Sequence, residues 1–124
     1  MNARTESAQN TLEAPLIDVV VESWRFARTF ARLLTKLDAG EAARYQSQLR
    51  FYLKRLDEAL AAAGLKIADL EGQPYDPGMA ATALNIADFA PDDVLLVEQM
   101  LEPVIMGESG LKRIGTIMLR RVST

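Results

Sequence analysis

The chain changes character across Gly64-Leu65-Lys66-Ile67-Ala68 and Gly72-Gln73-Pro74-Tyr75-Asp76-Pro77-Gly78. Before Gly64 the apolar residues recur at three- and four-residue steps, the period of a helix face. After it the period shortens toward two, and Pro and Gly punctuate every connection, as short strands require. A helical part therefore leads into a small β part. The fold class expected is α+β.

Working back from Gly64, Ala42, Tyr45, Leu49, Tyr52, Leu56, Ala59 and Ala63 hold helical spacing from about Glu41, and Gly64 ends that helix. An earlier helix is expected from Pro15. Val20, Trp24, Ala27, Ala31 and Leu34 form one seam, and Val19, Phe26, Phe30, Leu33 and Leu37 form a second stripe beside it. Asp38-Ala39-Gly40 reads as a helix stop at glycine. Residues 1–14 are polar and aperiodic and read as a disordered tail. A short connection makes the two helices an antiparallel hairpin over 15–64. Two wide apolar faces exceed what one hairpin covers, and each exposed Leu or Phe forgoes roughly 1.5–3 kcal/mol. Dimerisation into a four-helix bundle is the expected remedy, with Val20, Trp24, Ala27, Ala31, Leu34, Leu49 and Leu56 at the dimer interface.

Working forward, residues 65–124 are expected to form a β-rich wing. Leu65 to Ala68, Met79 to Ile86, Val94 to Leu101 and Val104 to Met106 read as strands. Pro103 interrupts the last two at an edge or bulge, because it has no N–H for a ladder. Pro91-Asp92-Asp93 is a turn, Gly107-Glu108-Ser109-Gly110 is a hairpin tip, and Lys112 to Arg120 reads as one returning strand.

Composition narrows function. The 124 residues are 49% apolar and 25% charged with a net charge of −3, a globular balance ill-suited to nonspecific nucleic-acid binding. There is no histidine and no cysteine, so imidazole bases, thiolate nucleophiles and the usual zinc ligands are unavailable. Neither an enzyme nor a cofactor or metal site is expected. No apolar signal core opens the chain and no segment approaches about 20 apolar residues, so a cytoplasmic protein without membrane contact is expected.

Residues 64–102 carry eight acids against Lys66 alone, whereas residues 111–124 carry Lys112, Arg113, Arg120 and Arg121 and no acid. The basic segment either balances acidic neighbours or offers a contact surface whose charge sets on-rate and orientation. Asp92, Asp93, Glu98 and Glu102 match no calcium loop and read as turn and strand residues. The glycine tip lacks the lysine and helix of a phosphate loop.

Over residues 16–121 these pieces resemble, in order and spacing, the GrpE family of nucleotide exchange factors. The similar features are the helical hairpin entering Gly64-Leu65-Lys66-Ile67, the Tyr75-Asp76-Pro77 loop, Pro91-Asp92-Asp93 before a strand, and the glycine tip followed by Lys112 to Leu119. The chain departs from the family at Ala80, where a histidine is usual, and at Leu111, where a basic residue is common. The resemblance implies a homodimer whose wing binds the nucleotide-binding domain of a DnaK-type chaperone and promotes nucleotide release. It implies Leu111, Lys112, Arg113, Met118 and Leu119 as the partner-binding residues. The alternative is a dimeric adaptor of GrpE-like shape that serves another partner without exchange activity.

Overall fold

A computed structural model of the chain describes residues 2–122, with side chains from residue 12 onward. Met1 and residues 123–124, the outer ends of the expected tail and wing, lie outside the described residues. The fold is α+β, two helices and two small three-stranded sheets, in two compact units, Met1–Leu56 and Asp57–Thr124.

In the first unit α1 spans Asn2–Leu34, and α2, Ala39–Ala62, begins there and runs across the boundary. The start expected at Pro15 is corrected, since helical backbone reaches back to Asn2 and includes Pro15. Pro15 lacks the N–H that would bond the Thr11 carbonyl, a local loss that the helix bridges. At the other end α1 tightens into i→i−3 bonds, Lys36 N–H to the Leu33 carbonyl at 3.0 Å and Leu37 N–H to the Leu34 carbonyl at 3.2 Å. The Thr35 hydroxyl also donates to the Arg32 carbonyl at 2.7 Å.

The expectation that Gly40 stops α1 is also corrected. Gly40 lies within α2, and the positive-φ glycines are Gly64, Gly72 and Gly110. Asp38 is the decisive residue: its carboxylate accepts the Glu41 N–H at 3.0 Å, the bond of an N-cap. Gly64 does end α2 as expected, with φ +73° and its N–H on the Ala61 carbonyl at 3.0 Å. Across the hairpin the Phe30 ring meets Tyr45 edge-on, with centroids 6.4 Å apart.

In the second unit β1 (Leu65–Ala68), β4 (Val104–Gly107) and β5 (Gly110–Arg113) form one sheet in the order β1-β4-β5. The other sheet has β6 (Gly115–Arg121) between β2 (Ala81–Ala83) and β3 (Leu95–Glu102). β2 runs parallel to β6, and β3 runs antiparallel to it.

One bent hairpin joins the sheets. Glu102 pairs with Thr116 in one sheet and Ile105 with Arg113 in the other, so the register stays in phase across the break. Pro103 interrupts the outgoing arm because it cannot donate to a ladder. The returning arm breaks at Ile114, which corrects the single strand expected from Lys112 to Arg120. Close approach at the bend requires Gly115: a Cβ there would lie 2.7 Å from the Glu102 carbonyl oxygen and 2.9 Å from Val104 Cγ2.

The strand expected over Met79 to Ile86 shrinks to Ala81–Ala83, followed by a turn and the 3₁₀ segment Ile86–Asp88. The Asn85 side chain takes over the ladder, donating to the Leu119 carbonyl at 2.8 Å and accepting the Leu119 N–H at 2.9 Å. On the far edge of β3 the Pro/Gly loop acts as a cover. Gly72 N–H bonds the Val97 carbonyl at 2.8 Å and Tyr75 N–H the Leu95 carbonyl at 2.9 Å. The buried residues of this unit include Leu95, Val97 and Met100 of β3, Val104 and Ile105 of β4, and Ile117 and Leu119 of β6.

Candidate functional site

Two surfaces stand out, one in each unit. The first is β5, an edge strand of its sheet. Its register with β4 slips between Ile105–Arg113 and Met106–Leu111, which makes Lys112 the extra residue of a β-bulge. The bulge breaks strict alternation, and Leu111 and Lys112 are both exposed while Arg113 is half-buried. Gly107 leaves room for the Lys112 stem, since a Cβ there would meet Lys112 Cε at 2.6 Å. Leu111 is 46% exposed and Ile114, just beyond the strand, is 54% exposed. The result is an apolar pair bracketing two cationic residues on a sheet edge.

The five residues expected to bind a partner divide. Leu111, Lys112 and Arg113 sit together on β5. Met118 is half-buried on β6 in the other sheet. Leu119 is 2% exposed, a core residue whose backbone is held by Asn85, and it is removed from the contact set. Ile114, which was not among the five, is exposed beside β5. Its exposure was hidden in the sequence by the apparent continuity of the Lys112-to-Arg120 run, and Gly115 was the only local sign of a break.

Of the four carboxylates read as turn and strand residues, Glu102 and Asp93 have local structural partners, as does Asp76 of the Pro/Gly loop. Glu102 accepts the Thr116 hydroxyl at 2.8 Å, Asp93 accepts the Ala90 N–H at 2.8 Å, and Asp76 accepts the Gly78 N–H at 2.9 Å. Among the described residues no group of three or more acidic, histidine or cysteine side chains could hold a metal ion. No helix there is long and apolar enough to cross a membrane.

The second surface is on the helices. Val20, Trp24, Ala27 and Leu34, expected at a dimer interface, are buried within the single chain, while Ala31, Leu49 and Leu56 are half-buried. The uncovered stripe is the neighbouring one. Leu12, Val19, Phe26 and Leu33 recur every seven residues, and their exposures run from 53% at Leu33 to 70% at Phe26. Beside it Phe26, Phe30, Gln48, Leu49 and Tyr52 line an open groove of about 360 Å³, and Phe51 is also exposed. The exposed apolar stripe of α1 therefore lies beside the seam Val20, Trp24, Ala27, Ala31 and Leu34.

Compared with protein-family models, curated proteins and solved structures, the chain matches none.

Proposed function

We propose that this protein is a GrpE-like cochaperone that binds the nucleotide-binding domain of a DnaK-type chaperone and promotes nucleotide release. The observation that carries the proposal is the edge strand β5, which offers Leu111, Lys112, Arg113 and the adjoining Ile114 at the end of a bent hairpin. The order of helical hairpin, Asp-Pro loop and glycine-tipped β module, which resembles the GrpE family, supports the same assignment. An apolar and cationic edge suits docking on an acidic protein surface, with the apolar side chains supplying affinity and the charges the encounter rate. The helical unit self-associates through its uncovered apolar face, in keeping with a four-helix bundle.

The mechanism needs no bond chemistry from this chain. The β module must bind the open, nucleotide-releasing form of the chaperone more tightly than the closed form, because equal affinity shifts nothing. Each tenfold change in nucleotide affinity corresponds to about 1.4 kcal/mol of that preference. By reciprocity, nucleotide must weaken binding of the exchange factor by the same factor.

Stopped-flow release of a fluorescent nucleotide from a DnaK-type chaperone tests the assignment. Release should accelerate with added protein to a plateau, and Lys112→Glu with Arg113→Glu should raise the concentration needed to reach it. Binding without acceleration would assign the chain to the adaptor alternative. Neither binding nor acceleration would refute both.

A further inference from the structure

We infer that the free edge of β2 is a docking strand for an extended, cationic segment of another protein, which adds to the sheet as a further strand. The inference concerns the sheet that does not contain β5. It rests neither on the chaperone partner nor on self-association.

Hydrogen-bond parity decides which backbone groups of β2 are free. Gly115 N–H bonds the Ala80 carbonyl at 3.0 Å just before the strand, and Leu84 N–H bonds the Ile117 carbonyl at 3.0 Å just after it. In a parallel pair, alternate residues of one strand address the neighbour with both N–H and C=O. Ala80, Thr82 and Leu84 therefore face β6, and Ala81 and Ala83 turn their N–H and C=O groups away from it. β2 is an outer strand of its sheet, and no other described backbone group bonds these two residues on that side. Spaced two positions apart, they present the ladder that an incoming strand needs.

Each of the other three sheet edges carries a device against such pairing. β1 has the exposed Lys66 within it, β5 has the bulge at Lys112, and the outer edge of β3 is bonded by Gly72 and Tyr75. β2 has none of these. Ala81, Thr82 and Ala83 include no charge and no proline, and their register with β6 runs without a shift. Thr82 is exposed, and Leu84 and Ile86 beyond it are 60% and 44% exposed. Small side chains along the strand admit a second backbone, and Leu84 and Ile86 offer it apolar contact at one end.

Charge selects the occupant. Between Lys66 and Lys112 the chain has no base, and it has the eight acids of residues 64–102 together with Glu108. Exposed Asp76 and Asp88 flank β2 in the chain, one on each side. Glu102, held by the Thr116 hydroxyl at 2.8 Å, adds a carboxylate to the sheet face that Thr82 shares with Thr116. A strand with lysine or arginine at alternate positions is attracted to this edge, and an acidic one is repelled. A second copy of β2 would bring the same acids with it, so like charge opposes self-pairing here. The cationic β5 edge disfavours the same segment, so the two edges select different partners.

A synthetic peptide of about nine residues alternating valine with lysine tests the inference. It is titrated into the full chain beside a peptide alternating valine with glutamate, with affinity read by fluorescence anisotropy and the site by amide hydrogen exchange. The lysine peptide should bind, more weakly as salt rises, and should slow exchange at the Ala81 and Ala83 amides. The glutamate peptide should not bind. Ala83→Pro removes an outward N–H and leaves the β2–β6 bonds in place, because the Ala83 amide takes no part in them. It should weaken the lysine peptide by about tenfold, with circular dichroism showing that the variant is folded. Exchange in the unsubstituted chain reads the site without any substitution. Equal binding of the two peptides would overturn the cationic occupant. Binding of the lysine peptide that leaves exchange at Ala81 and Ala83 unchanged would overturn the edge as the site. Binding of neither peptide would overturn the inference as a whole.

Discussion

Substituting Gly115 by alanine tests the bend that holds β5 at the edge of its sheet. Gly115 is not a positive-φ residue, so backbone conformation does not demand glycine there. Space does. The added Cβ would sit 2.7 Å from the Glu102 carbonyl oxygen, 2.9 Å from Val104 Cγ2 and 3.2 Å from the Val104 nitrogen. Carbon pairs prefer about 3.5–4.0 Å, so the Val104 contact is short by at least roughly 0.6 Å. Two of the three neighbours are backbone, and the buried Pro103 between them restricts their retreat. Overpacking of this kind costs about 1–3 kcal/mol. Prising the arms apart also strains the 2.8 Å Thr116–Glu102 hydrogen bond, which is worth about 1 kcal/mol. A loss of about 2–4 kcal/mol is therefore expected. At a urea dependence of about 1–3 kcal/mol per molar, it lowers the denaturation midpoint by on the order of 1–2 M. Gly72→Ala is the control. Gly72 has φ +82° with nothing within 4 Å of a Cβ, so only backbone strain of about 1–2 kcal/mol applies. Urea titrations followed by circular dichroism compare the two. A Gly115→Ala loss no larger than that of Gly72→Ala would refute the close-approach argument.

Three further perturbations separate local roles. Asp38→Ala removes the carboxylate that caps α2 and should cost about 1 kcal/mol in urea titration; an unchanged midpoint would return Asp38 to a passive turn. Asn85→Ala leaves the Leu119 N–H and carbonyl without their side-chain partners, with an expected loss of about 2–3 kcal/mol. Faster hydrogen exchange at the Leu119 amide is its local signature, and unaltered exchange there would contradict the clamp. Leu119→Ala should destabilise by about 2–4 kcal/mol as a core truncation. Leu111→Ala should change stability by less than about 0.5 kcal/mol and weaken partner binding instead; the opposite pairing of effects would reverse the two assignments.

Features set by neighbouring residues were legible in the chain. Gly64 after a helical period, Pro103 within a strand, the two-residue turn between Gly107 and Gly110, and Asp93 in a turn each act through bonds or φ values within a few positions. The Asp38-Ala39-Gly40-Glu41 stretch shows the limit of that locality. It carries both a glycine stop and a capping pattern, and only the bond from Glu41 N–H to Asp38 shows which operates. Long-range pairing was not legible. Nothing near Ala81 indicates that it will lie parallel to Gly115, and nothing in Lys112 to Arg120 apart from Gly115 indicates two sheets.

The deepest ambiguity concerns inside and outside, and it bears directly on function. Trp24 and Phe26 are two residues apart on one helix and are both large and apolar, yet one is buried and the other exposed. Leu111 and Leu119 share a side chain and have opposite roles, edge and core. Periodicity identifies a face as apolar, but the same transfer free energy drives burial against the chain's own residues and against a partner's. Sequence pattern therefore finds both stripes of α1 and cannot rank them. Ranking them requires the backbone, which covers Val20, Trp24 and Ala27 and leaves Val19, Phe26 and Leu33 exposed. For a protein proposed to act through contacts alone, the informative residues are those that chemistry classes with the core and geometry places outside it. Ile114 on the β module and Phe26 on the helix are this chain's clearest instances, and each lies where the proposed partner or second copy would dock.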